Sequence, residues 1–173
     1  MKCLSILFAV GLLLSWCFAI DAIETREPEP QCDESQHLPK AIDLALKQAP
    51  DIVVSCRIKP PVIQGDFDGD GRPDYAVLVT QGISKKRGFL IAFANGKTAE
   101  AGAGRSVKYG AALSSDLNFD QWGLYRKYRP VESAKHQQTT RLRGDALIVS
   151  YHETASGLFY WDGKRIRWYQ QGD

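Results

Sequence analysis

The residues with the clearest chemistry are four aspartates that share one short loop. They fall at positions 1, 3, 5 and 9 of a segment with glycine at position 6, and they are Asp66, Asp68, Asp70 and Asp74. Residues at alternate positions can turn their oxygens toward one centre, while Gly71 permits the positive φ that reverses the chain. The backbone carbonyl of Arg72, at position 7, can supply a further oxygen. This spacing predicts a calcium site.

Charge repulsion within the loop favours a bound cation. Two carboxylates about 5 Å apart at an effective dielectric near 20 repel by roughly 3 kcal/mol, and a hard divalent ion removes that conflict. Two other interpretations remain open. The segment could be a solvated Asp/Gly turn without metal. It could also belong to a magnesium-dependent phosphoryl-transfer site, which would need a buried strand before the loop, a helix near the phosphate and a partner lysine.

The residues that follow the loop distinguish it from a helical EF-hand. An EF-hand requires a bidentate acid at position 12, where this chain has Val77. The segment Tyr75 to Thr80 is rich in aromatic and β-branched residues, which favours a strand over an exiting helix. We therefore expect the loop to close at Asp74 and to lead directly into a core strand.

Residues 62–77 closely resemble one calcium-binding repeat of the FG-GAP/VCBS type, which occurs in integrin α-chain propellers and in many secreted bacterial proteins. The resemblance implies that the four aspartate side chains and the backbone carbonyl of Arg72 ligate Ca²⁺. It covers a single copy of the loop, without the Phe-Gly and Gly-Ala-Pro signatures of the full repeat. A propeller needs at least about four blades of some 40–45 residues, more than the chain supplies after a leader. The resemblance thus implies one structural calcium ion in one domain.

The N-terminus has the composition of a secretory leader. Lys2 precedes an almost unbroken apolar run from Leu4 to Phe18, which ends in a small-x-small triplet. This pattern predicts a signal peptide over residues 1–19 and a secreted or periplasmic protein without a membrane span after cleavage. Two alternatives remain open. One is an uncleaved anchor, and the other is a lipid anchor on Cys17, although Trp16 stands where bacterial lipoproteins have a small residue.

Two cysteines follow this leader. Residues 20–31 are acidic and contain prolines without hydrophobic periodicity, which predicts a disordered linker, and residues 32–173 are expected to form a single domain. In an oxidising compartment Cys32 and Cys56 are expected to pair. A loop of this length would stabilise the fold by about 3 kcal/mol in the chain-entropy model. The alternative is two unpaired buried thiols.

Charge is distributed unevenly along the chain, whose formal net charge is +2. Residues 21–78 contain twelve acidic and six basic residues, whereas residues 79–173 contain fifteen basic and eight acidic residues. The basic clusters of the second half could contact an anionic polymer or a partner protein, but exposed strand faces have the same composition. Nucleic acid is a poor candidate partner for an exported protein.

The pattern of apolar residues predicts an α+β domain. Apolar residues at helical spacing predict one amphipathic helix from Leu38 to Ala49. From Val62 onward the pattern favours strands, with a type I′ hairpin signal at Asn95-Gly96 and C-terminal hairpins from Thr139 to Tyr169. Residues 105–120 lack a clean period, and we expect a long loop with a short helix there. The expected fold is an antiparallel sheet packed by the N-terminal helix.

The sequence contains no strong catalytic motif. His152-Glu153 lacks the second histidine of a zinc-protease helix, and no glycine-rich phosphate loop follows a strand. We therefore predict an exported, non-catalytic domain whose Ca²⁺ is a structural staple beside a ligand- or protein-binding surface. The alternative is a small secreted enzyme or enzyme inhibitor that uses the aromatic and basic C-terminal half. A histidine close to an acid, in a pocket lined by Tyr125, Tyr151 or Trp161, would favour catalysis.

Overall fold

The computed structural model describes residues 30, 32, 37–131, 141–152 and 155–172. The predicted leader over 1–19, including Cys17, and all of the predicted linker except Pro30 lie outside the described residues. Among the described residues, no helix is both long enough and apolar enough to cross a membrane. They contain the helix α1 (Lys40–Gln48) and the strands β1 (Ile52–Val54), β2 (Val62–Gly65), β3 (Asp74–Gln81), β4 (Arg87–Ala92), β5 (Thr98–Gly102), β6 (Val107–Tyr109), β7 (Ala112–Ser114), β8 (Gln121–Tyr125), β9 (Ala146–Tyr151), β10 (Ala155–Trp161) and β11 (Ile166–Gly172).

The predicted α+β class is wrong, because strands dominate the described part of the chain. Strands make up 45% of it and the single helix 7%. α1 ends at Gln48, just before Pro50, and the first strand begins two residues later at Ile52. Beyond that point the apolar residues alternate between two faces, the period that a strand requires and a helix cannot use. The fold is therefore a β structure with one short helix on its surface.

Two antiparallel sheets form the body of the domain. The first has the strand order β1-β3-β4-β5, and β2 pairs with the end of β3 that β1 leaves free. The second has the order β11-β10-β9-β8, while β6 and β7 form a separate hairpin. In the second sheet Ala146 pairs with Tyr125 and Tyr160, and Tyr151 pairs with Ala155. The start and the end of β9 therefore define two opposite ends of this sheet.

The first sheet is the middle of three layers. In β3, Ala76 and Leu78 face the second sheet, whereas Val77 and Val79 face α1, as alternation along a strand requires. The core between the sheets contains residues of both, among them Leu78, Phe89, Leu147 and Phe159. The core under the helix contains Ile42 and Ala45. Because both faces of β3 are covered, its sequence is a nearly continuous apolar run.

Three local predictions differ from the structure. The chain does turn between β4 and β5, but a type I′ turn needs positive φ at both central residues, and only Gly96 has it, with φ of 82°. Residues 105–120 contain the β6–β7 hairpin where a short helix was expected. Residues 141–143 lie outside any strand, and residues 139–140 are outside the described part of the chain.

A disulfide joins Cys32 to Cys56, with Cα atoms 5.2 Å apart. Cys56 is buried and follows β1, whereas Cys32 precedes α1. The bond therefore ties the segment before the helix to the edge of the first sheet.

Candidate metal centre

The acidic loop lies between β2 and β3. Gly65 at the end of β2 pairs with Asp74 at the start of β3, so residues 66–73 form an excursion that begins and ends at one rung of the ladder. Phe67 turns away from the acidic side chains into the core between the sheets, where it is 1% exposed. A ladder pair and a buried aromatic side chain thus hold the loop in place.

Three of the four predicted aspartate ligands converge. One carboxylate oxygen from each of Asp66, Asp68 and Asp74 lies within 4.8 Å of the others. Oxygens that bind the same calcium ion lie up to about 5 Å apart, since each Ca–O distance is about 2.3–2.6 Å. These three oxygens are therefore close enough to share one ion.

Asp70, the fourth predicted ligand, is turned toward Arg72. Its Oδ2 lies 2.8 Å from Nη2 of Arg72, and its Oδ1 accepts the backbone N–H of the same residue at 2.8 Å. These bonds to Arg72 hold the pKa of Asp70 below its ordinary value. Ligation by Asp70 would require its carboxylate to leave this partner, and it stays a prediction, as does ligation by the Arg72 carbonyl.

Asp74 organises the loop from inside the protein. Its side chain is fully buried, and its Oδ2 accepts the backbone N–H groups of Phe67 and Asp68 at 2.8 and 3.2 Å. Its Oδ1 accepts the N–H of Ala94, in the turn after β4, at 2.8 Å. Burial raises the pKa of Asp74 in spite of these donors. Asp74 therefore has a structural role in the loop in addition to its place in the acidic group.

Asp66 has one satisfied and one unsatisfied oxygen. Its Oδ2 lies 2.7 Å from Nζ of Lys127 and 3.2 Å from the backbone N of Gly71. Burial opposes the ionisation of Asp66, but Lys127 and backbone donors outweigh it, so the pKa lies below its ordinary value. Its Oδ1 is buried and accepts no hydrogen bond of normal geometry from the described residues, although the backbone N–H of Gly69 also helps to lower the pKa of this carboxyl. A buried oxygen of an ionised carboxylate is costly to leave without a partner.

Asp145, directly before β9, connects the second sheet to the loop through hydrogen bonds. The backbone N–H of Asp145 donates to the carbonyl of Asp66 at 2.7 Å, and the N–H of Asp66 donates back to Oδ2 of Asp145 at 3.1 Å. Asp145 also accepts Nη1 of Arg126 and the backbone N–H of Lys127, both at 3.0 Å. Sequence reasoning missed Asp145, Arg126 and Lys127 because 18 to 79 residues separate these partners.

Two glycines allow the close approach of the loop to the second sheet. A Cβ on Gly144 would lie 2.3 Å from the carbonyl oxygen of Phe67, and a Cβ on Gly69 would lie 2.4 Å from the carbonyl oxygen of Arg143. Both obstacles are backbone atoms, which cannot swing aside as a side chain can. The acidic loop is therefore in direct backbone contact with residues 143–144, just before β9, at the junction of the two sheets.

His152 lies at the other end of β9. Its Nδ1 is 3.1 Å from Oδ2 of Asp120, which also accepts the backbone N–H of His152 at 2.8 Å. The ring of Tyr151 is 4.1 Å away between centroids. A histidine thus meets an acid beside Tyr151, but both side chains are exposed and neither lines the cavity that Tyr151 borders. Tyr125 and Trp161, however, lie at the opposite end of the second sheet and do not share that surface.

The resemblance of residues 62–77 to the FG-GAP/VCBS repeat rests on the residues of the loop. The surrounding fold is two packed antiparallel sheets with a hairpin and one helix. Comparison with protein-family models, with curated proteins and with solved structures finds no match for this chain.

Proposed function

We propose that this protein is an exported β domain in which one Ca²⁺ ion, bound by Asp66, Asp68 and Asp74, fixes the loop at the junction of the two sheets. The observation that carries the proposal is Oδ1 of Asp66, a buried carboxylate oxygen with no donor among the described residues. Its carboxylate is one of three that each supply one oxygen within 4.8 Å of the others. A cation bound by these carboxylates would remove the repulsion among them and would offer Oδ1 of Asp66 a partner.

Calcium suits this loop better than magnesium. Ca²⁺ accepts six to eight oxygens at about 2.3–2.6 Å in flexible geometry, whereas Mg²⁺ demands a near-ideal octahedron at about 2.0–2.1 Å and usually keeps several waters. A loop closed by a ladder pair and by backbone bonds to Asp74 has little freedom to contract around the smaller ion. Export rests on the predicted leader and is consistent with the Cys32–Cys56 disulfide.

The ion acts as a structural staple, by which we mean that it binds the folded state and stabilises it. The gain is RT ln(1 + [Ca]/Kd), about 1.4 kcal/mol when the ion is at ten times Kd. Extracellular calcium modules have Kd values of about 10⁻⁴–10⁻³ M, so the site would be occupied continuously outside a cell.

Thermal melts of the oxidised chain without its leader test this function. Calcium at ten times Kd should raise the midpoint by about 4 °C over chelator, since 1 kcal/mol corresponds to about 2–4 °C in a domain of this size. Magnesium at the same concentration should have a smaller effect. Asp68→Ala should lose the response, and Asp43→Ala, which removes an exposed acid of α1, should keep it. Equal midpoints of the native chain in calcium and in chelator would reject the proposal.

The surface beside the loop is the place where a partner would bind. A cavity of about 510 Å³ there is lined by the end of β2, by loop residues that include Arg72, and by Arg126. Ion pairs with Asp70 and Asp145 hold these two guanidinium groups in position. We propose a partner protein or an anionic polymer as the ligand of this surface. Retention on a heparin column should shorten in Arg126→Ala, and unchanged retention would exclude the anionic polymer.

A second candidate function is catalysis at the other end of β9, and the His152–Asp120 pair favours it. With Nδ1 oriented by a carboxylate, Nε2 of His152 could accept a proton as a general base. Hydrolysis of p-nitrophenyl acetate tests this alternative. His152→Gln should lower the rate and His37→Gln, which changes another exposed histidine, should not. Equal rates for both variants would exclude a catalytic role for His152.

A further inference from the structure

A cleft of about 360 Å³, whose described lining residues are all uncharged, lies at the end of the second sheet opposite the acidic loop. Its walls come from β6, β9, β10 and β11 and from Asn118. None of the described residues that line it carries a charge, although charged residues make up 24% of the chain. The volume falls within the roughly 300–1,000 Å³ of small-molecule sites. The lining therefore fits a neutral ligand.

The aromatic wall of this cleft is fixed before any ligand arrives. The Trp168 ring lies 4.9 Å from Tyr109 in an edge-to-face contact and 4.8 Å from the buried ring of Phe159, between centroids. A Cβ on Gly157 would lie 2.3 Å from Cζ2 of Trp168, so the indole lies directly on the backbone of β10. Its Nε1 donates to Oε1 of Gln170 at 3.2 Å. Because these contacts fix the Trp168 ring, a ligand can pack against it without a large entropic cost for ordering the side chain.

Polar groups that both donate and accept hydrogen bonds line the same cleft. Asn118 and Gln170 contribute carboxamides, and Tyr109 and Tyr151 contribute phenols. A carboxamide both donates and accepts hydrogen bonds, and so does a phenol. These groups match hydroxyls, which also do both, better than they match a carboxylate or an ammonium group.

We propose that this cleft binds a neutral saccharide. The apolar C–H face of a pyranose ring packs against aromatic rings such as Trp168 and Tyr151, while its hydroxyls bond to Asn118 and Gln170. A charged sugar would lose solvation without meeting an opposite charge among the described residues of the lining. A ligand made only of aromatic carbon would form no hydrogen bond with these carboxamides. A neutral saccharide can contact both the aromatic rings and the carboxamides of the cleft.

The cleft is separate from the proposed calcium centre. The loop contacts the residues at the start of β9, whereas Tyr151 at its end lines the cleft. Six residues of extended strand span about 17 Å between the first and the last Cα. Asp68→Ala should therefore leave saccharide binding unchanged, so that failure of one proposal does not imply failure of the other.

Titration of the chain with chitotetraose, cellotetraose and maltotetraose, followed by amide NMR shifts, tests the proposal. At least one of them should bind and shift the amides around the cleft. Asn118→Ala and Tyr151→Ala should each weaken that binding about tenfold, because each removes a bonding partner or ring face. Tyr128→Ala is the matched control, because this tyrosine is 80% exposed and lies outside the cleft.

Several results would overturn the proposal. They are binding of none of the three saccharides, binding that neither Asn118→Ala nor Tyr151→Ala weakens, and tighter binding of indole than of every saccharide. Tyr151 is 38% exposed, so its replacement should leave the NMR spectrum of the folded chain intact and any loss of affinity can be assigned to the cleft.

Discussion

The two ends of β9 carry surfaces of opposite chemistry. At the Ala146 end, hydrogen bonds and ion pairs of 2.7 to 3.1 Å connect Asp66, Asp145, Arg126 and Lys127. At the Tyr151 end, ring contacts and an indole–carboxamide bond hold a cleft whose described lining is uncharged, next to the His152–Asp120 pair. The charged end leaves one buried carboxylate oxygen without a donor among the described residues. In our proposal an ion completes the Ala146 end, whereas contacts within the protein already hold the cleft at the Tyr151 end.

One strand connects these surfaces, but their energetics should be independent. Effects of substitutions more than about 7–10 Å apart, without shared partners, usually add. Variants at the Ala146 end should therefore change calcium binding and junction stability, and variants at the Tyr151 end should change ligand binding. A variant at one end that alters the other would break this division.

The largest effect should come from Asp74→Ala. The substitution removes the buried acceptor of three backbone N–H groups, which are those of Phe67, Asp68 and Ala94. We expect the free energy of unfolding to fall by about 3–5 kcal/mol even in chelator. Denaturant unfolding measures it. Asp68→Ala, the control, should cost less than about 1 kcal/mol in chelator, and equal losses for the two variants would contradict the structural role of Asp74.

Gly144→Ala and Gly157→Ala should each affect only one end of β9. The new methyl group on residue 144 would meet the Phe67 backbone, so we expect a loss of about 2–3 kcal/mol and weaker calcium binding. The methyl group on residue 157 would displace the Trp168 indole and should weaken saccharide binding without changing calcium affinity. Gly123→Ala is the control, since its nearest contact is an ordinary 3.5 Å. Denaturant unfolding and calcium titration of all three variants distinguish these outcomes.

Lys127→Met should tighten calcium binding. Nζ of Lys127 lies 2.7 Å from Oδ2 of Asp66, and its positive charge opposes a second cation in the same group. Because this side chain is 39% exposed, the repulsion is about 1 kcal/mol at 4 Å in a water-like dielectric, or about fivefold in Kd. Lys108→Met removes the same charge from β6, which lies beside the cleft and away from the acidic loop, and should leave Kd unchanged. Weaker calcium binding in Lys127→Met would show that the lysine supports the site.

The smallest effect concerns acid sensitivity of the turn between β10 and β11. Oδ2 of Asp162 lies 2.6 Å from Nε of Arg167, and this bond lowers the Asp162 pKa from 3.8 to about 2. A folded pKa below the unfolded one gives stability that is full above the unfolded value and is lost as pH falls toward 2. NMR titration should show the turn amides changing near pH 2, and Asp162→Asn should abolish the change. A midpoint near 3.8 would contradict the pairing.

The sequence predicted local features well, because their partners are close along the chain. Asp66, Asp68 and Asp74 lie within nine residues, and the β-branched run after them forms β3. It did not predict Asp145, which meets Asp66 across 79 residues, because no local pattern records a contact between sheets. The cleft draws on β6, β9, β10, β11 and Asn118, which only the tertiary fold brings together.

The wrong fold class has a physical explanation of the same kind. The helix was predicted from its own periodicity, and α1 is present over Lys40–Gln48. Periodicity does not show how much of the core a helix covers. The hairpin of β6 and β7 escaped prediction because three-residue strands are too short to display alternation. Spacing alone also does not show that Arg72, two residues later, competes for the carboxylate of Asp70, and ligation by Asp70 stays a prediction.

Isothermal titration of the native chain with calcium tests the central claim most directly. One ion should bind per chain with Kd of about 10⁻⁴–10⁻³ M, and Asp68→Ala should abolish the binding heat while Asp43→Ala retains it. Absence of saturable calcium binding by the native chain, or equal binding by native and Asp68→Ala chains, would contradict the assignment of the acidic loop as a calcium centre.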